Sequence, residues 1–124
     1  SFSCQNGPNI HIGHHFLAGS GLMIIDAAEV RIGNYVTMGP DCLLTTQAHP
    51  RSTSQRRQRL ARAEAIELGN DVCLGARVTV LAGVRIGDNV IVEAGAVVDH
   101  DLPANGVFAG NPARKIADLE NDCE

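Results

Sequence analysis

Ile66-Glu-Leu-Gly-Asn-Asp-Val72-Cys-Leu-Gly-Ala-Arg-Val78-Thr-Val-Leu-Ala-Gly-Val84-Arg-Ile-Gly-Asp-Asn-Val90-Ile-Val-Glu-Ala-Gly-Ala96-Val-Val98 carries an apolar or small residue at every sixth position, a ladder that Leu102 continues. A second ladder runs two residues behind it through Leu68, Leu74, Val80, Ile86, Val92 and Val98, with Gly69, Gly75 and Gly87 following at intervals. Two apolar residues separated by one mark a short strand with one buried face, because successive strand side chains point to opposite sides. A helix is excluded, since its apolar stripe needs spacings of three and four and a step of six drifts around a turn of about 3.6 residues. A six-residue unit cannot bury its own inward face. Consecutive units must stack, and the spacing predicts an all-β chain wound as a parallel β-helix.

The same ladder extends toward the N-terminus in Ile12, Ala18 and Ile24, then in Ile32, Met38 and Leu44. The step of eight between Ile24 and Ile32 predicts a small bulge at one corner. Residues 45 to 65 lack the repeat, are rich in Arg, Gln, Ser and Thr, and are expected to form a loop extruded from the solenoid. Long excursions from a compact scaffold tend to be functional or disordered, and this one carries His49. Past Asp101-Leu102-Pro103 the repeat stops. The composition of residues 113 to 120, with Ile116 and Leu119 three apart, predicts a short C-terminal helix capping an open end.

At 124 residues the chain is expected to be one domain, 1–124. With 44% hydrophobic residues, only 3% aromatic and no Trp, its core must be built from Val, Ile, Leu and Ala. Ten Lys plus Arg against fourteen Asp plus Glu give a formal charge of −4, which argues against a nucleic-acid or membrane-surface binder. One basic run stands out: Arg51, Arg56, Arg57, Arg59 and Arg62 read either as an anion-binding patch or as a solvated loop. No apolar run approaches the roughly 18 residues of a membrane span and no leader is visible, so a soluble, cytoplasmic protein is expected. Cys4, Cys42, Cys73 and Cys123 lack paired spacing and are expected to be free thiols. His11, His14 and His15 crowd one early coil, with His14 and His15 expected in an exposed turn, while His49 and His100 lie elsewhere. No converging imidazole set results, and no metal is expected.

The segments Asn9-Ile-His-Ile-Gly13, Ile32-Gly-Asn34, Gln47-Ala-His-Pro50, Ile66-Glu-Leu-Gly-Asn70, Gly83-Val-Arg-Ile-Gly-Asp-Asn89 and Ala109-Gly-Asn-Pro-Ala-Arg114 resemble, in that order, the sugar O-acetyltransferases of the maltose and galactoside acetyltransferase family. The resemblance implies a left-handed β-helix, a homotrimer, and acetyl-CoA as co-substrate in a groove between subunits. It also implies that the helical segment preceding the repeats in maltose acetyltransferases is missing. A hydroxyl is a poor nucleophile at neutral pH, so transfer from a thioester needs a base in hydrogen-bond reach, and an imidazole suits that task. The resemblance makes His49 that base and the backbone amide of Ala76 the donor to the oxyanion. It places the acceptor against Asp26, Gly19 and Cys73, and the coenzyme along Ala76, Ala94, His100 and Arg114.

Three positions depart from the family pattern. Gly19 stands where relatives carry an acceptor-holding Asn, Cys73 replaces a Trp that would stack on a sugar ring, and Asp99-His100 replaces a Thr-Lys pair near the coenzyme's nucleotide end. Arg77, Arg85 and Lys115 are candidates to restore phosphate attraction. The expected activity is acetyl transfer to a hydroxyl of a sugar or related small molecule. The alternatives are an N-acetyltransferase acting on an amine, and a non-catalytic, degenerate assembly module.

Overall fold

Because both ladders point inward, the chain turns after every strand, and in the computed structural model, which describes residues 2–120, it visits three sheets in strict rotation. The first sheet stacks Phe2–Cys4, Leu22–Ile25, Leu43–Thr45, Thr79–Val80 and Val97–Val98. The second stacks Ile10–Ile12, Val30–Ile32, Ile66–Leu68 and Arg85–Ile86. The third stacks Leu17–Ala18, Thr37–Met38, Val72–Leu74, Val90–Val92 and Gly106–Ala109. Every pairing between coils is parallel, and in the later coils partners lie eighteen residues apart, as in Glu67 with Arg85, Leu74 with Val92 and Val80 with Val98. Three six-residue units therefore make one coil.

Every member of the two ladders from Ile66 to Leu102 is buried, forming one aliphatic column with Leu22, Ile24, Val30, Val36 and Leu44. The corners require left-handed backbone, and non-glycine residues supply much of it: Tyr35, Asp71, Asn89 and Asn105 at one corner, Asp41 and Arg77 at the next. Asn and Asp tolerate that conformation because their short polar side chains bond locally. Among the described residues, the strand Phe2–Cys4 extends the column at its N-terminal end over the first sheet alone. Ile12 is accordingly 41% exposed although it sits at a ladder position.

Before the extruded segment the register is twenty rather than eighteen, Ile24 lying beside Leu44, so the two extra residues form the expected bulge. Extra residues leave backbone groups without sheet partners, and a buried polar group must be bonded. Two buried side chains solve this. The Thr46 hydroxyl donates to Ile25 O (2.7 Å) and accepts from the Ala28 N–H (3.0 Å). The Asp26 carboxylate accepts from the N–H groups of Gln5 (2.9 Å), Asn6 (2.7 Å) and Gly7 (2.7 Å).

Burial by itself would raise the Asp26 carboxyl, but the N–H groups of Asn6, Gly7 and Gln5 outweigh it and hold the group below its ordinary value of 3.8. A carboxyl depressed on folding stabilises the native state above its unfolded value, and that contribution is lost as pH falls through the folded value. Acidification below about pH 4 is therefore expected to lower the thermal midpoint of the native chain more than that of Asp26→Asn. Equal losses in the two chains would show that these bonds contribute nothing.

The C-terminal segment departs from expectation. Residues 113 to 120 do not form a helix: Arg114–Asp118 is a strand antiparallel to Gly106–Ala109, with Val107 opposite Ala117 and Phe108 opposite Lys115. The edge of the third sheet offers a row of unpaired N–H and C=O groups, and pairing with it outweighs the modest helix preference of Ala, Arg and Lys. Ile116 and Leu119, read as one helix face, do not pack together into the core, and Ile116 is 61% exposed. Among the described residues no helix is long and apolar enough to cross a membrane.

Candidate functional site

His49 stands on the segment between Leu43–Thr45 of the first sheet and Ile66–Leu68 of the second. The segment is more ordered than a plain loop. Gln47–Ala48 pairs antiparallel with Arg62–Ala63 to form a neck. Beyond it, Ser52 caps the short helix Thr53–Arg57, accepting from the Gln55 N–H. Pro50 alone is buried at this tip; all residues from Arg51 to Ala65 are exposed, as is His49. His49, Pro50, Arg51, Gln55 and Arg62 line a cleft of about 290 Å³. The basic run was visible in the sequence, but which of its arginines flank His49 depends on the hairpin and the helical turn.

Ala76 lies at a different corner, between Val72–Leu74 of the third sheet and Thr79–Val80 of the first. Ser20, Pro40, Ala76 and Ala94 stack there in successive coils, with Gly19 one residue before Ser20, tied by Asp41 N–H to Ser20 O, Arg77 N–H to Pro40 O and Gly95 N–H to Ala76 O (2.9 Å each). Among the described residues no group accepts from the Ala76 N–H, so that amide is uncommitted. The buried Cys42 thiol, raised by desolvation, donates to Gly75 O (3.2 Å) and orients the adjoining peptide. The packing is tight: a Cβ on Gly19 would lie 2.7 Å from Pro40 N and one on Gly75 2.6 Å from Ala94 N. Glycine at position 19 thus fits a close backbone approach, and an Asn there would force the corner apart.

Cys73, exposed, points outward from the third sheet next to this corner, between Thr37 and Ile91 in register. His100 pairs with Asp99, while Arg114 donates to Ala113 O (3.2 Å) and acts on Asp99 only through its charge. The His100 ring lies 2.6 Å from the Asp99 carboxylate, and that bond, with the Arg114 charge, holds Asp99 below its ordinary value. Of the three cations considered for phosphate attraction, Arg85 pairs with Glu67 (3.7 Å) and Lys115 with Asp118, while Arg77 sits beside Ala76 without a carboxylate partner among the described residues. Asp26 is the site residue the structure removes. Its carboxylate is wholly buried and bonded to backbone N–H groups, so it does not face an acceptor. His14 and His15 are exposed as expected, the His15 ring stacking on Tyr35 at 4.5 Å.

Within one chain, then, the structure does not bring all expected site residues together. The hairpin leaves at the corner between first and second sheets, and Ala76 and Ala94 lie at the corner between third and first. The first sheet separates them. At about 3.3 Å per residue a strand of two to four residues spans on the order of 10 Å, well beyond hydrogen-bond reach.

Comparison with known proteins agrees with this architecture. The model of the bacterial transferase hexapeptide (six repeats) matches residues 65–100. The galactoside O-acetyltransferase of Escherichia coli K12 is 38% identical over 93% of this chain and 57% of its own length. A maltose O-acetyltransferase from Clostridium difficile 630 has a TM-score of 0.95 at 34% identity, covering 98% of this chain and 65% of that one. A hexapeptide-repeat-containing acetyltransferase from Vibrio cholerae has a TM-score of 0.94 at 31% identity, covering 97% and 68%, and has also been solved with acetyl coenzyme A. The chain thus spans a little under three fifths of the length of the curated galactoside O-acetyltransferase it matches. Repeat, solenoid, sequence identity and overall superposition all point the same way: the chain belongs to the hexapeptide-repeat acetyltransferases, alongside the galactoside and maltose O-acetyltransferases.

Proposed function

We propose that this chain is an acetyl-CoA-dependent O-acetyltransferase acting on a hydroxyl of a sugar-like small molecule, with His49 as general base at a site shared between subunits. The observation that carries this reading is the separation of His49 from the free Ala76 N–H by the width of the first sheet, which a second copy placed against that sheet removes. Cyclic symmetry then repeats one site at every interface, three in a homotrimer. His49 takes the proton from the acceptor hydroxyl as its oxygen attacks the thioester carbonyl. The Ala76 N–H of the neighbouring copy donates to the oxyanion as it forms. When the carbon–sulfur bond breaks, His49 returns the proton to the leaving thiolate. The small side chains of Ala76 and Ala94 suit a pantetheine arm lying close to the backbone, and Arg77 and Arg114 offer guanidinium groups to the phosphates of the coenzyme.

The direct test is release of free thiol from acetyl-CoA against a panel of sugars, amino sugars and alcohols. Turnover of amines alone would shift the reading to N-acetylation, and no turnover would leave a binding or assembly module. Sharing of the site is tested by mixing. Chains bearing His49→Ala and chains bearing Ala76→Trp are each expected to be inactive, whereas mixed assemblies regain activity at the minority of interfaces that carry neither lesion. A monomer by light scattering at micromolar concentration, or mixtures that recover nothing, would end the shared-site mechanism.

A further inference from the structure

The acceptor is the part of the reaction that the corner column leaves undefined, and the hairpin supplies what the column lacks. Three groups expected to grip a neutral sugar are absent or diverted. Gly19 has no side-chain amide, Cys73 no ring, and Asp26 is buried against backbone N–H groups. In their place, the cleft at His49 is lined by Arg51, Arg62 and Gln55. The hairpin holds five arginines against a single acidic residue, Glu64, on a chain whose overall charge is −4. Arg62 is partly neutralised by Glu64 at 3.4 Å, and Arg56 donates to the Thr53 hydroxyl. Arg51, which lines the cleft, has neither an ion pair nor a side-chain hydrogen bond among the described residues, so its planar set of donors is uncommitted.

Resting on the reading of His49 as base, we propose that the acceptor carries an anionic oxyacid group, a carboxylate or a phosphate ester, close to the hydroxyl that is acetylated, and that Arg51, supported by Arg62, binds it. A guanidinium matches such a group with two parallel hydrogen bonds and leaves a neutral hydroxyl poorly satisfied. The excess positive charge on the hairpin also draws an anionic acceptor toward the one imidazole there.

A hexose, its uronic acid and its 6-phosphate are the probes. Titrated calorimetrically into the His49→Ala chain with coenzyme A present, at least one anionic sugar is expected to bind about tenfold or more tightly than the hexose, the difference made by a charged hydrogen bond. Arg51→Gln should abolish most of that difference, and Arg51→Lys should retain part of it. Which sugar responds separates carboxylate from phosphate recognition. Equal binding of all three sugars overturns the proposal. So does an Arg51→Gln chain whose KM rises for acetyl-CoA and not for the acceptor, which would assign Arg51 to the coenzyme. Because binding is measured without the imidazole, a failure of His49 as base would appear separately, as undiminished turnover in the His49→Ala chain.

Discussion

Replacing His49 with alanine is expected to lower acetyl transfer by about 10²- to 10⁴-fold, the usual contribution of a positioned general base. The chain should still fold. His49 is exposed, and its hairpin adds little to the aliphatic column, which closes around it through Leu44, Ile66 and Val80. Steady-state thiol release read beside the thermal midpoint separates the two effects: rate should collapse while the midpoint holds. A rate unchanged by the substitution would remove His49 from the mechanism, and a midpoint that fell in step with the rate would make its role structural.

Val80→Asp is expected to prevent folding. Val80 is fully buried, with Leu44 on one side and Val98 on the other in parallel register. A carboxylate there meets only aliphatic neighbours. An uncompensated buried charge costs on the order of several kcal/mol, comparable with the whole stability of a small domain. The adjacent Thr79 faces outward, so Thr79→Asp should leave a folded chain. Soluble yield and urea unfolding of the two variants provide the check. A Val80→Asp chain with a native urea midpoint would mean that the inward and outward faces have been exchanged.

The two predictions rest on features of different legibility. The inward ladder could be read directly because each six-residue unit repeats the same local demand, and stacking is the one arrangement that satisfies all of them together. His49 could be singled out only through the resemblance of Gln47-Ala-His-Pro50 to the family motif, since a lone histidine in a polar segment without a burial pattern is by itself an ordinary solvated side chain. Asp26 was harder to read. Whether it faces a ligand or the interior depends on the two-residue bulge beside it, and the bulge recruits its carboxylate for backbone N–H groups contributed some twenty residues earlier. The grouping of Arg51, Gln55 and Arg62 around His49 likewise waits on the pairing of Gln47–Ala48 with Arg62–Ala63.

What the sequence by itself determined was the period, the strand faces, the core and the place where the chain leaves the solenoid, all consequences of side-chain patterning repeated at short range. The tertiary structure decided which corner each candidate occupies, the inward turn of Asp26 and the conversion of residues 114 to 118 from an expected helix into an edge strand. Those outcomes depend on hydrogen-bonding groups left open by coils distant in sequence, and an open sheet edge or a buried unpaired N–H group outweighs the small local preferences of the residues that satisfy it.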